Sequence, residues 1–158
     1  MEEISNYHVQ KKRRNMTLLV PDFALVLPVL GNHVERVYVC RDKYFLCLSA
    51  NSRPFEESLY LCLYSFEGEV IDKVKIFKAY EPSILKYVEI EEGNGISFQF
   101  IRGLRHSVSV KDNAKFDLSR LIRRREIFYS QRFKPSQLRV SRCNEKANQH
   151  RYKNESMK

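Results

Sequence analysis

Residues 59–77 read LYLCLYSF, then Glu67-Gly68, then EVIDKVKIF, and this stretch decides the fold. Its first half alternates Leu59, Leu61 and Leu63 with Tyr60, Cys62 and Tyr64, so a strand here carries apolar groups on both faces. Such a strand is covered on both sides, or it turns an aromatic face to a ligand. The Glu-Gly pair marks a tight turn, and the return segment is amphipathic. Val70, Asp72, Val74 and Ile76 fall on one face, with Lys73 and Lys75 on the other.

The same pattern continues outward. Before it, Val37 to Cys40 and Tyr44 to Leu48 flank the charged triplet Arg41-Asp42-Lys43, which reads as a hairpin loop. Asn51 to Glu57 is polar and reads as an exposed connection. Further back, Met16 to Leu30 is an apolar run broken by Pro21, Asp22 and Pro28, and it reads as an irregular first strand. With Lys11-Lys12-Arg13-Arg14 ahead of it, the run mimics a signal peptide. It has no small-residue cleavage site and is too interrupted to span a bilayer. After it, Ile84 to Ile90 and Ile96 to Phe100 are joined by Glu91-Glu92-Gly93-Asn94-Gly95, residues that tolerate positive φ. A short last strand is expected over Ser107 to Val110.

About eight strands in hairpin succession imply a mainly β, antiparallel domain. Two architectures fit. One is a small barrel or sandwich closed by a C-terminal helix, similar in outline to pleckstrin-homology-like domains. The other resembles the blades of a β-propeller in its cadence, although only about two such blades would fit in the chain.

The pattern changes at Asp117, where DLSRLIRRREIFYSQRF places Leu118, Leu121, Ile122, Arg125 and Phe128 or Tyr129 at helical spacing. Asp117 suits the helix N-terminus and Pro135 stops the helix. The sequence therefore predicts four regions: a flexible basic arm (1–16), an antiparallel β domain (17–110), a basic helix docked on the sheet (111–134) and a disordered basic tail (135–158).

Charge separates these regions. The chain carries +9 overall, with +2 in residues 1–16, −2 in 17–110 and +9 in 111–158. A basic block on a near-neutral body draws in polyanions. Arg120, Arg123, Arg124, Arg125, Arg132 and Lys134 are interleaved with Phe128, Tyr129 and Phe133, so guanidinium–phosphate contacts could combine with base stacking. The competing reading makes the rings a docking stripe and the arginines its wet side. Lys11, Lys12, Arg13 and Arg14 form a second cluster, with the density of a nuclear import signal or a phosphate-binding arm. A third candidate surface is an aromatic face of Tyr38, Tyr44, Tyr60, Tyr64 and Tyr87, although sheet propensity alone also enriches tyrosine.

Nothing in the sequence carries a catalytic signature. His8, His33, His106 and His150 are scattered, and no glycine-rich phosphate loop is present. Cys40, Cys47, Cys62 and Cys143 lack metal-site spacing, which points to no cofactor and to a reducing compartment. Cys40 and Cys47 flank a short turn, which leaves a cross-strand disulfide open. The reading is a non-enzymatic nucleic-acid-binding protein, RNA more than DNA, in the nucleus or cytoplasm. The alternative is an adaptor that docks an acidic or other protein partner.

Overall fold

A computed structural model describes residues 1–13, 15–54, 56–115, 126–130 and 134–143. Thirteen strands occur among them: Glu2–Glu3 (β1), His8–Lys12 (β2), Asn15–Val20 (β3), Leu25–Val29 (β4), His33–Cys40 (β5), Tyr44–Asn51 (β6), Ser58–Ser65 (β7), Val70–Phe77 (β8), Ser83–Glu91 (β9), Gly95–Ile101 (β10), Arg105–Lys115 (β11), Ile127–Tyr129 (β12) and Ser136–Cys143 (β13). Every pairing is antiparallel. The strands form three sheets, ordered β1-β5-β6-β7-β8-β12, β13-β11-β10-β9 and β2-β3-β4.

The double-faced pattern of residues 59–77 explains how the sheets stack. Leu59, Leu61 and Leu63 of β7 join Leu46, Leu48, Val74 and Ile76 in one core, closed by Ile96, Phe98, Val108 and Val140 of the four-stranded sheet. Cys62 and Tyr64 point the other way, with Phe45 and Cys47. They meet Met16, Leu18, Val20 and Leu27 of the three-stranded sheet. The six-stranded sheet is thus the middle layer and β7 is covered on both sides. No barrel closes among the described residues; the expectation of a mainly β, antiparallel domain holds, and the sheets stack in three layers.

Polar ties cross both interfaces. Tyr64 donates its hydroxyl to the Pro28 carbonyl at 2.5 Å, joining β7 to β4. On the other side, the buried Asp72 carboxylate of β8 accepts from the Ser136 hydroxyl and, at 3.2 Å, from the Leu138 N–H, both on β13.

The apolar run from Met16 to Leu30 is a hairpin, not one irregular strand. Pro21–Phe23 forms a 3-10 turn ending on Ala24 at φ 51°, and β4 then pairs back on β3. Proline lacks the N–H that a ladder needs and fits the first position of such a turn, so the sequence breaks where the chain reverses. Phe23 from this turn packs edge-on against Phe45, with centroids 4.9 Å apart.

Three expectations about the ends of the chain need correction. The basic helix over 111–134 is not supported, and there is no α-helix among the described residues. Those of this span are the end of β11, all of β12, and residues 126, 130 and 134. Ile127 is buried and Tyr129 packs on the core, with Phe128 outward, so Ile-Phe-Tyr follows the strand period of two, not the helical one. The tail was expected to lack order from 135. Instead Ser136–Cys143 is an edge strand, because Leu138 and Val140 alternate inward against β11. In the expected flexible arm, β1 pairs with β5 and β2 with β3, while Ile4 and Tyr7 pack on the second core. The strands therefore extend on both sides of 17–110. Arg14, Phe55, residues 116–125, residues 131–133 and residues 144–158 lie outside the described residues.

All four cysteines are free. Cys40 and Cys47 lie in opposite cores, which rules out the cross-strand disulfide between them. Burial pushes the Cys40 thiol up to about 12 and raises those of Cys47 and Cys62, so all three behave as small apolar groups.

Candidate anion-binding cleft

A cleft of about 590 Å³ opens where the three-stranded sheet meets the ends of β6 and β7. It is lined by Lys11, Arg13, Asn15, Met16, Gly31, Asn32, Asn51, Arg53 and Tyr60. Three of these are cations, three are side-chain amides, one is aromatic and none is acidic.

Local geometry explains how residues so distant in sequence meet. Lys11 pairs with Met16 and Lys12 with Asn15 across the β2–β3 hairpin. Successive side chains leave a strand on opposite faces, so Lys11 shares the face of buried Met16 and Lys12 points away. Arg13 holds the turn at φ 49°. The turn after β4 is pinned to the end of β6: Asn32 donates its N–H to the Ala50 carbonyl at 2.8 Å, and the Ser52 N–H donates to Asn32 Oδ1 at 3.3 Å. Gly31 makes this approach possible. It sits at φ +84°, and a Cβ there would lie 2.8 Å from the Ala50 carbonyl carbon. Arg53 follows from the loop after β6, and Tyr60 rises from β7.

The cations are electrostatically unspent. Ion pairs among the described residues join Arg36 to Glu3, Arg41 to Asp112, Lys78 to Glu81, Arg105 to Glu89 and Arg142 to Glu126. Lys11, Arg13 and Arg53 are in none of them. Lys75, beside the cleft, is likewise unpaired; its Nζ lies 5.7 Å from the centroid of the Tyr60 ring and 4.8 Å from that of Phe77. An anion entering here meets donors that no carboxylate already holds, in a recess that focuses their field.

Of the sequence-derived candidates, the structure brings Lys11 and Arg13 into this cleft and leaves Lys12 on the outer face. Lys134 is exposed ahead of β13. Arg14, Arg120, Arg123, Arg124, Arg125 and Arg132 lie outside the described residues. Sequence reading missed Arg53, Asn32 and Asn51; Asn51 and Arg53 fall in the stretch that reads as an exposed connection. The tyrosines do not share a face. Tyr38 and Tyr64 are buried in opposite cores, Tyr44 accepts from Gln137 at 2.9 Å, and Tyr87 is exposed on β9. No group of three or more His, Cys, Asp or Glu residues that could hold a metal occurs among the described residues. No helix among them is long and apolar enough to cross a membrane.

No protein-family model matches the chain, no curated protein matches its sequence, and no solved structure matches its fold. Fold and cleft together define a class only: a three-layer antiparallel β protein with a basic recess at one sheet junction that holds no carboxylate among the described residues.

Proposed function

We propose that this chain is a non-enzymatic nucleic-acid-binding protein, RNA favoured over DNA, that acts in the nucleus or cytoplasm. The observation that carries this reading is the cleft, in which Lys11, Arg13 and Arg53 converge beside Tyr60 with no acidic residue among the described lining. Guanidinium forks suit phosphate oxygens, side-chain amides suit base edges and ribose hydroxyls, and a ring face suits an unstacked base. The arginines between 120 and 132 would add phosphate contacts to the same ligand.

The test is a titration of a generic RNA and of a duplex DNA at two salt concentrations. Binding is expected to fall steeply as salt rises. Replacing Lys11, Arg13 and Arg53 together by alanine should lower the salt slope by about 2, since each lost phosphate contact removes roughly 0.7. Absence of binding at low salt, or an unchanged slope in the triple variant, would refute the reading.

One observation favours the adaptor alternative. Edge strand β9 exposes Ile84 (67%), Tyr87 (68%) and Ile90 (52%), an apolar border open to another protein. A complex formed there would survive high salt and would be insensitive to the cleft triple variant.

A further inference from the structure

Beyond the mouth of the cleft, one strip of the six-stranded sheet is left uncovered by the described residues. The three-stranded sheet packs on Val34, Val37, Phe45, Cys47, Cys62 and Tyr64, all from β5, β6 and β7. None of the residues in that core comes from β8 or β12. On the same face, the register sets Tyr60 of β7 opposite Lys75 of β8, and Lys75 opposite Phe128 of β12. Directly opposed residues on antiparallel strands share a face, so ring, ammonium and ring form a row about 10 Å long across two strand spacings. In the next row, Lys73 follows Lys75 on this face, and Ser130 donates its N–H to the Lys73 carbonyl at 3.1 Å.

This strip has the chemistry of the cleft and opens from it. Phe128 is 38% exposed, large for an aromatic with a core one residue away. Lys73 and Lys75 are in no ion pair among the described residues. The carboxylates nearest in sequence are engaged elsewhere: Asp72 faces the opposite core and binds β13, and buried Glu126 is held by Arg142.

We propose that the ligand is an unpaired strand of RNA that leaves the cleft over this strip, its bases on the rings of Tyr60 and Phe128 and its phosphates at Lys73 and Lys75. The proposal rests on the nucleic-acid reading above and adds the strandedness and the path of the ligand. Ring faces on an open sheet take bases that are free to unstack; a duplex keeps its bases inside and offers only its backbone.

The experiment compares a twelve-nucleotide pyrimidine RNA with the same sequence in a duplex, by fluorescence anisotropy at three salt concentrations. The single strand should bind at least tenfold more tightly. Tyr60→Ala and Phe128→Ala should each weaken it about tenfold without changing the salt slope, because stacking carries no counterion term. Tyr60→Phe should bind like the parent chain. Phe128→Ala, at an exposed position of an edge strand, keeps the test decisive if Tyr60→Ala fails to fold. Equal binding of single strand and duplex, or ring variants that match the parent, would overturn the path while leaving the cleft reading intact. Failure of both nucleic acids to bind at low salt would overturn the cleft reading and this one with it.

Discussion

Asp72→Ala should destabilise the chain by about 3 kcal/mol, because it removes a buried carboxylate that ties β8 to β13. The carboxylate is nearly inaccessible and accepts from the Ser136 hydroxyl, the Leu138 N–H and its neighbour's N–H at Lys73, 2.9 Å away. Alanine removes both carboxylate oxygens on which these three bonds end, while the Ser136 hydroxyl keeps the Leu138 carbonyl within reach at 2.9 Å. For a chain of this length that corresponds to a fall in melting temperature of roughly 6–12 °C. Asp22→Ala is the control, since Asp22 accepts from Asn6 at an exposed site and should shift stability by less than about 0.5 kcal/mol. If the Asp72 variant melts with the parent, β8 and β13 are not tied as described.

Gly31→Ala is the second large effect, and Gly68 provides an internal comparison. Both glycines are left-handed, at φ +84° and +86°. At Gly68 an added Cβ would meet only the Leu27 and Leu25 side chains at 3.7 and 3.8 Å, ordinary contact, so alanine there should cost only the conformational strain, about 1 kcal/mol. At Gly31 the Cβ would run into the Ala50 carbonyl, which is backbone and cannot turn aside. The expected loss is about 3 kcal/mol by denaturant unfolding, strain and displacement together. The same displacement pulls Asn32 from the cleft, so RNA affinity in the folded fraction should fall as well. Equal losses for the two alanine variants would show that the approach to β6 is looser than described.

Much of this fold is legible in particular residues. The two-faced apolar pattern at Leu59–Leu61–Leu63 and Tyr60–Cys62–Tyr64 already implies a strand covered on both sides, and β7 does separate the two cores. Gly68, Gly93 and Asn94 mark hairpin turns and adopt positive φ there. The C-terminal third was misread for a physical reason. In Ile127-Phe128-Tyr129 the apolar residues are consecutive, so they satisfy a helical stripe as readily as a strand, and only pairing with β8 decides. Leu138 and Val140 give a strand signal of just two residues, hidden among arginines. The cleft was half legible. Lys11 and Arg13 stood out as charge, but the pleat that separates Lys11 from Lys12 depends on register. Arg53 and Tyr60 reach the site only because β6 and β7 end beside the Gly31 turn.

Nitrogen-15 chemical-shift mapping during titration with a twelve-nucleotide single-stranded RNA tests the central claim most directly. The backbone signals of Lys11, Arg13, Asn32, Asn51, Arg53, Tyr60 and Lys75 are expected to move together, saturably, and less as salt is added. Shifts confined to the segment 120–125 or to edge strand β9, with the cleft signals unmoved, would contradict it.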